Sequence, residues 1–147
     1  MRNYLTFLAV AGMLAVTGGV RAEQSQVFGD YTVHYNAFTT DVLQPDMAKH
    51  YKITRSKNRA LVNISVLQKG SSGQAVPVKA QVTGNATNLT GQLREMEFRE
   101  ISEENAVYYI AIMHVADKET LDFAVNVKVD KQAKPLGVKF RKQFYTE

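Results

Sequence analysis

Apolar and polar residues alternate along most of the chain after residue 30, and a period of two is typical of half-buried β-strands. Seven rows of this kind can be traced. They run through residues 31–35, 62–66, 76–82, 96–98, 106–115, 121–129 and 138–144. The row at 106–115 is apolar at almost every position, which predicts a strand covered on both faces.

Turn-forming residues separate these rows. Gly and Ser dominate residues 69–73, and polar stretches at 102–105 and 116–120 predict tight hairpins. Between the first two rows, Pro45 and the acid that follows it predict one short helix over Pro45–Tyr51, because Pro suits the first helical turn.

Seven strands joined by such turns predict an all-β domain, an antiparallel β-sandwich of the immunoglobulin-like kind with one short helix. An eight-stranded outer-membrane barrel is the alternative. The outward positions carry Lys, Asp and Gln, where a barrel needs an apolar band facing lipid. The sandwich is therefore favoured, although the Cys and Trp that mark antibody domains are absent.

The first residues follow another pattern, which predicts a secretory signal peptide over residues 1–22. Arg2 supplies a cationic start, residues 4–16 are almost wholly apolar, and Val20-Arg21-Ala22 resembles a cleavage site. An uncleaved membrane anchor is the alternative, but the apolar stretch is shorter than the about 20 residues that cross a bilayer. We therefore expect export to a bacterial periplasm, with no membrane insertion after cleavage.

Loss of this leader would change the charge balance. The 147-residue chain has 18 Lys and Arg against 14 Asp and Glu. Arg2 and Arg21 lie in the leader, so the single domain predicted over residues 23–147 keeps 16 bases against 14 acids. Such a balance argues against nucleic acid as a partner. The absence of Cys excludes disulfides, a thiol nucleophile, a thiolate metal site and a lipid-modified cysteine.

Residues that could perform catalysis or bind a metal are scattered along the sequence. The histidines, His34, His50 and His114, lack the close spacing of metal ligands, so we predict no metal site and no cofactor. No Gly-x-Ser-x-Gly sequence occurs, and paired carboxylates such as Glu103 and Glu104 are more simply explained as solvated charge. We expect no catalytic residue; a periplasmic enzyme using His34 or His114 beside a carboxylate is the less favoured alternative.

A basic stretch departs from the strand pattern. Residues 52–59 carry four bases and no acid just before a strand, which concentrates positive charge at one edge of the domain. One interpretation is binding of phosphate or carboxylate groups on an envelope polymer or a protein. The other is a solvated loop that discourages aggregation through the strand edge.

A neutral stretch is the second departure. Residues 83–92, expected to form a loop, carry no charge and only two apolar side chains, Ala86 and Leu89. The hydroxyls and amides can close turns on their own backbone, with Leu89 anchoring the loop on the core. They can equally present a hydrogen-bonding surface to a sugar or an extended peptide.

Several segments are distinctive as a set. They are Phe28–Phe38, Ile53–Ala60, Thr87–Gln92, Phe98–Glu100 and Tyr108–Ala111. Together they resemble an uncharacterised family of small exported proteobacterial proteins, domain of unknown function 4426. The resemblance implies a periplasmic β-rich domain from a gammaproteobacterium, and it supplies no activity, cofactor or catalytic residue.

The sequence as a whole predicts a non-catalytic periplasmic binding or accessory domain. Its partner would be an unknown periplasmic protein or an envelope polymer. The alternative is a structural or assembly factor that pairs with a partner protein through an exposed strand edge. The expected binding residues are His34, Asn36, Arg55, Arg59, Asn88, Thr90 and Gln92.

Overall fold

Strands make up most of the computed structural model, which describes residues 24–129 and 134–147. The strands in these ranges are β1 (Gln24–Phe28), β2 (Tyr31–Thr39), β3 (Arg59–Lys69), β4 (Ala75–Pro77), β5 (Ala80–Asn88), β6 (Leu93–Met96), β7 (Arg99–Glu103), β8 (Ala106–His114), β9 (Thr120–Val129) and β10 (Leu136–Gln143). A 3-10 helix (Thr40–Val42) and helix α1 (Pro45–His50) follow β2. The predicted signal peptide lies outside the described residues.

Two antiparallel sheets form a sandwich. The first has the order β1-β2-β3-β8-β7, with β4 also paired to β3, and the second has the order β10-β9-β5-β6. An immunoglobulin domain has strands A-B-E-D in one sheet and G-F-C, extended by C′ in some types, in the other. The orders β2-β3-β8-β7 and β10-β9-β5-β6 reproduce that arrangement, so the predicted immunoglobulin-like sandwich is confirmed.

Several sequence-based boundaries were wrong. The described residues contain ten strands where about seven were expected. β1 has no alternating apolar row, the row at 76–82 divides into β4 and β5, and the row at 96–98 lies across the end of β6 and the gap before β7. The predicted loop at 83–92 is a strand as far as Asn88, and only residues 89–92 form a turn. Pairing of β5 with β9 along its whole length outweighs the polar composition of β5. The predicted helix is confirmed at Pro45–His50.

The main core lies between the two sheets. Val62, Ile64 and Val66 of β3 are fully buried in one cluster with Phe123 and other residues of β9. The ring of Phe140 on β10 stacks on Tyr35 of β2 at 4.7 Å and on Phe123 at 4.8 Å, measured between ring centroids. This aromatic stack joins the first sheet to the second.

A second apolar cluster covers the outer face of the first sheet. Residues 40–58, between β2 and β3, supply Leu43, Ala48, Tyr51 and Ile53 to it. They pack in one cluster with residues on four neighbouring strands, namely Phe38, Leu61, Ile101 and Ile110. Strand β8 is therefore covered on both faces along its centre, as its apolar sequence predicts. Among the described residues, no helix has the length and hydropathy needed to cross a membrane.

Close approach of two strands at Gly84 leads to a stability prediction. A Cβ atom on Gly84 would lie 2.8 Å from the backbone carbonyl oxygen of Ala124 and 3.1 Å from Cε of Met96. The carbonyl belongs to β9 and cannot rotate away. We expect Gly84→Ala to lower the free energy of unfolding by about 2 kcal/mol in urea denaturation. Thr83→Ala, at an exposed neighbouring position, should change it by less than about 0.5 kcal/mol; equal losses would contradict the explanation.

The end of α1 leads to a second prediction. The N–H of Ile53 donates to the carbonyl of Ala48 at 2.7 Å and that of Lys52 to Lys49 at 3.1 Å, which is the Schellman pattern. Lys52 takes the left-handed conformation, with φ of 58°, where glycine is usual. We expect Lys52→Gly to raise the free energy of unfolding by about 0.5 kcal/mol, because relief of backbone strain exceeds the entropy cost of glycine.

Urea denaturation of Lys52→Ala is the control for that substitution. It removes the same charge and side chain but keeps a Cβ atom in the left-handed conformation. A gain in stability with alanine as large as with glycine would assign the effect to charge and refute the backbone explanation.

Candidate functional site

The structure distributes the predicted binding residues over three parts of the sandwich. His34 and Asn36 lie on β2, on the outer face of the first sheet, opposite Ser65 and Asn63 of β3. The other five lie elsewhere. Arg55 is in the loop that leads into β3, Arg59 is the first residue of β3, and Asn88, Thr90 and Gln92 belong to the β5–β6 hairpin.

Arg55, Arg59 and the hairpin share one end of the sandwich. Arg59 lies opposite His114, the last residue of β8, and Asn88 lies opposite Leu121 near the start of β9. The β8–β9 turn joins the sheets at this end. Arg94 of β6 also bridges them: its Nη1 donates to the carbonyl of His114 at 2.7 Å, and its Nη2 lies 3.0 Å from Glu119 Oε2.

His34 and Asn36 lie farther down the first sheet. Their partners on β3, Ser65 and Asn63, are six and four residues beyond Arg59, which corresponds to about 20 Å and about 13 Å of strand. The second apolar cluster intervenes at Leu61. The two parts of the predicted site on the first sheet are thus separated by apolar surface.

The basic loop, residues 52–59, has a fixed backbone near its centre. The side chain of Thr40 is fully buried, and its Oγ1 donates to the carbonyl of Thr54 at 2.8 Å and accepts from the N–H of Ser56 at 2.8 Å. Ser56 Oγ in turn accepts from the N–H of Asn58 at 3.1 Å. The N–H of Val115 donates to the carbonyl of Asn58 at 2.8 Å. These bonds tie the loop to the 3-10 helix on one side and to the end of β8 on the other.

The cationic side chains at this end are exposed. The guanidinium of Arg55 donates from Nη2 to the backbone carbonyl of Asp41 at 2.9 Å. Within residues 24–129 and 134–147, the side chains of Lys57, Arg59 and His114 form no ion pair and no hydrogen bond. The positive charges of Lys57 and Arg59 therefore face solvent without an acidic partner among the described residues.

The β5–β6 hairpin is closed by its own polar side chains. Asn88 Nδ2 donates to Gln92 Oε1 at 2.8 Å, and Asn88 Oδ1 accepts from the hydroxyl of Thr90 at 2.8 Å and from the N–H of Gln92 at 2.9 Å. These contacts match the turn-closing interpretation of the sequence. Leu89 is 67% exposed, so the expected anchoring of the turn on the core was wrong.

A neutral polar patch, formed by His34, Asn36, Asn63 and Ser65, lies on the outer face of the first sheet. Asn63 is only 4% exposed, and its Oδ1 is buried without a hydrogen-bond partner in the described parts of the chain. Sequence reasoning missed Asn63 and Ser65 because it considered only the apolar side of β3. The available signal was a polar residue two positions after Leu61 on the face opposite Val62.

Two charged side chains of β7 are bonded to Tyr51. The hydroxyl of Tyr51 donates to the carboxylate of Glu103, and the guanidinium of Arg99 donates to the backbone carbonyl of Tyr51. Burial, together with the bond to Glu103, raises the pKa of Tyr51, so the hydroxyl stays a donor. These bonds hold the end of α1 to β7.

No group of three or more His, Cys, Asp or Glu side chains suited to a metal ion occurs among residues 24–129 and 134–147. The three histidines lie on β2, α1 and β8. In strand register, His34 has Ser25 and Ser65 as neighbours, and His114 has Arg59.

Solved structures share this fold. A DUF4426 family protein from Pseudomonas aeruginosa PAO1 has a TM-score of 0.71 and 38% identity, over 84% of this chain and 94% of that one. FetP from uropathogenic Escherichia coli strain F11 has a TM-score of 0.56 and 12% identity, over 84% and 94%. A copper-bound variant of FetP has a TM-score of 0.55 and 11% identity, over 84% and 90%. The FetP structures show likeness of fold alone.

A curated relative is much larger. The extracellular matrix-binding protein ebh of Staphylococcus aureus strain MW2 is 25% identical over 150 residues, covering 87% of this chain. The chain spans 1% of the length of that protein. What the whole relative does therefore cannot be transferred to this chain.

The family comparison covers almost all of the described chain. The model of the domain of unknown function DUF4426 matches residues 25–147. The Pseudomonas aeruginosa structure belongs to the same family and shares both sequence and fold with this chain. The resemblance detected in the sequence is thereby confirmed, and the chain belongs to the DUF4426 family.

Proposed function

We propose that this protein is a non-catalytic binding domain of the bacterial periplasm, and that its basic loop binds phosphate or carboxylate groups of an envelope component. One observation carries the proposal. The loop presents exposed cations without acidic partners, while a fully buried side chain, Thr40, holds its backbone in place. A loop that serves only solubility has no need of this fixed conformation.

The fixed backbone bears on affinity. A flexible loop loses conformational entropy when a ligand orders it, and a loop that is already ordered avoids most of that cost. Arg55 is further restrained by its bond to the carbonyl of Asp41. Its remaining guanidinium N–H groups can still donate to an anion.

Strand pairing also brings two further donors together. Arg59 and His114 are directly opposite on β3 and β8, so their Cβ atoms are about 5 Å apart on the same face of the sheet. One phosphate or carboxylate group can contact both side chains. Arg is suited to this role because its planar fork matches the oxygens of such anions.

The compartment and the absence of catalysis are supported separately. The signal-peptide pattern over residues 1–22 supports export. In strand register, His114 lies opposite Arg59, a cation. That arrangement favours binding over acid–base chemistry.

Titration with inorganic pyrophosphate and with citrate, followed by NMR chemical shifts, tests the proposal. We expect shifts at Arg55, Arg59 and His114. The double substitution Arg55→Gln/Arg59→Gln should weaken binding about tenfold, or about 1.4 kcal/mol. Both wild-type and substituted proteins should bind more weakly as salt rises, because the contacts are ionic and exposed.

The matched control removes the same charge elsewhere. Lys128→Gln/Lys139→Gln alters two exposed lysines on the outer face of the second sheet. It should leave anion affinity within about twofold, since these lysines are distant from the loop. Equal weakening by both double substitutions would show that anion affinity depends only on the net charge of the protein, and it would refute a specific site.

A structural or assembly role is the second candidate, and strand β1 is the observation that favours it. β1 pairs only with β2, so its other edge is open within the described residues. Residues Gln24–Phe28 carry no charge, and Val27 is 67% exposed. Edge strands usually carry charges that prevent pairing with other chains, so an uncharged edge suits the addition of a partner strand.

Crosslinking of the protein in a periplasmic extract tests this second role. A partner recruited through β1 should be captured by the wild-type protein and lost with Ser25→Pro, which removes a backbone donor from the open edge, since the alternate residues Gln24, Gln26 and Phe28 face β2. Val27→Lys should reduce capture while leaving the urea midpoint nearly unchanged. Capture of the same proteins by the wild-type protein and both variants would refute pairing through β1.

A further inference from the structure

We propose that the neutral polar patch on the outer face of the first sheet is a second binding site, for a small neutral molecule that carries several hydroxyl groups, such as a monosaccharide. The patch is distinct from the basic loop. Asn36 and Asn63 form its centre as directly opposed residues on β2 and β3. His34 and Ser65 form the adjoining row in the same register.

Asn63 is the main reason for the proposal. Its side chain is 4% exposed, and its Oδ1 has no hydrogen-bond partner among the described residues. A buried amide oxygen that lacks a partner costs free energy, whereas an apolar side chain of similar size at this place would not. A residue that opposes stability in this way is explained if a covering side chain moves aside and a bound group supplies the missing hydrogen bond.

The chemistry of the patch restricts its ligand. Amides, a hydroxyl and an imidazole both donate and accept hydrogen bonds, and sugar hydroxyls do the same. On the same face of the sheet, Arg99 lies two strands from Asn63 in register, and both Arg99 and Glu103 are bonded to Tyr51. A neutral polyol needs no charged partner, so it fits this set of groups better than an ion does.

The position within the sheet excludes strand addition at this place. β2 lies between β1 and β3, and β3 lies between β2 and β8. Their backbone groups are therefore used in the sheet along the patch. A ligand can be recognised here only by side chains, which favours a small molecule over an extended peptide.

The decisive variant is Asn63→Leu, which removes the amide and keeps a side chain branched at Cγ. Probes are D-glucose, N-acetyl-D-glucosamine and myo-inositol at millimolar concentration, measured by thermal shift and NMR. We expect at least one probe to stabilise the wild-type protein and shift the signals of Asn36 and Asn63. In Asn63→Leu the response should fall at least tenfold, while Tm without ligand should stay equal or rise by a few degrees.

Two results would overturn the proposal. One is the absence of a response to all three probes in the wild-type protein. The other is a response to the probes that Asn63→Leu leaves unchanged. If that variant fails to fold, Asn36→Ala and Ser65→Ala replace it; both positions are only half-buried, and each should weaken binding severalfold.

The outcome is independent of the proposed anion site. Arg55→Gln/Arg59→Gln should keep the response to the neutral probe, and Asn63→Leu should keep the response to pyrophosphate. Loss of both responses in either variant would show that the substitution disturbs the fold, and would count against two separate sites.

Discussion

Burial of strand β3 on both faces is the constraint on which the rest of the structure depends. One face supplies Val62, Ile64 and Val66 to the core between the sheets, and the other supplies Leu61 to the second apolar cluster. An outer face with apolar side chains cannot stay open to water without cost. Residues 40–58, which connect β2 to β3, therefore cover this outer face. The position of this segment determines where both proposed sites lie.

Residues 40–58 cover only part of the outer face, and the two borders of the covered area carry different side chains. At the end of the sandwich, the segment returns to β3 through the basic loop, which Thr40 holds against the 3-10 helix. Farther along β3, the apolar cover gives way to Asn63 and then to the half-buried Ser65. The same packing thus produces a rigid cationic edge and, separately, a sheltered group of neutral polar side chains.

Much of this fold could be predicted because strand burial leaves a direct pattern in the sequence. The alternation of β9 and the two-sided apolar character of β8 identified these strands, and Pro45 identified the helix. β1 has almost no apolar alternation, and β5 is polar on its outer face and small at Gly84 and Ala86, so both depend on neighbouring strands. Such pairing is a tertiary effect that local composition does not reveal.

The candidate sites were less predictable than the fold, for a related reason. Arg55 and Arg59 could be selected from charge alone, but the role of Thr40 depends on contacts 14 and 16 residues away. Asn63 was overlooked because it lies on the face of β3 opposite the apolar row of Val62, Ile64 and Val66. Asn63 lies at the border of the apolar cover that residues 40–58 supply, and its buried amide lowers stability where an apolar side chain would not. A buried residue that lowers stability is not explained by selection for a stable fold. Such a residue is therefore a better indicator of a binding role than a residue that stabilises the core.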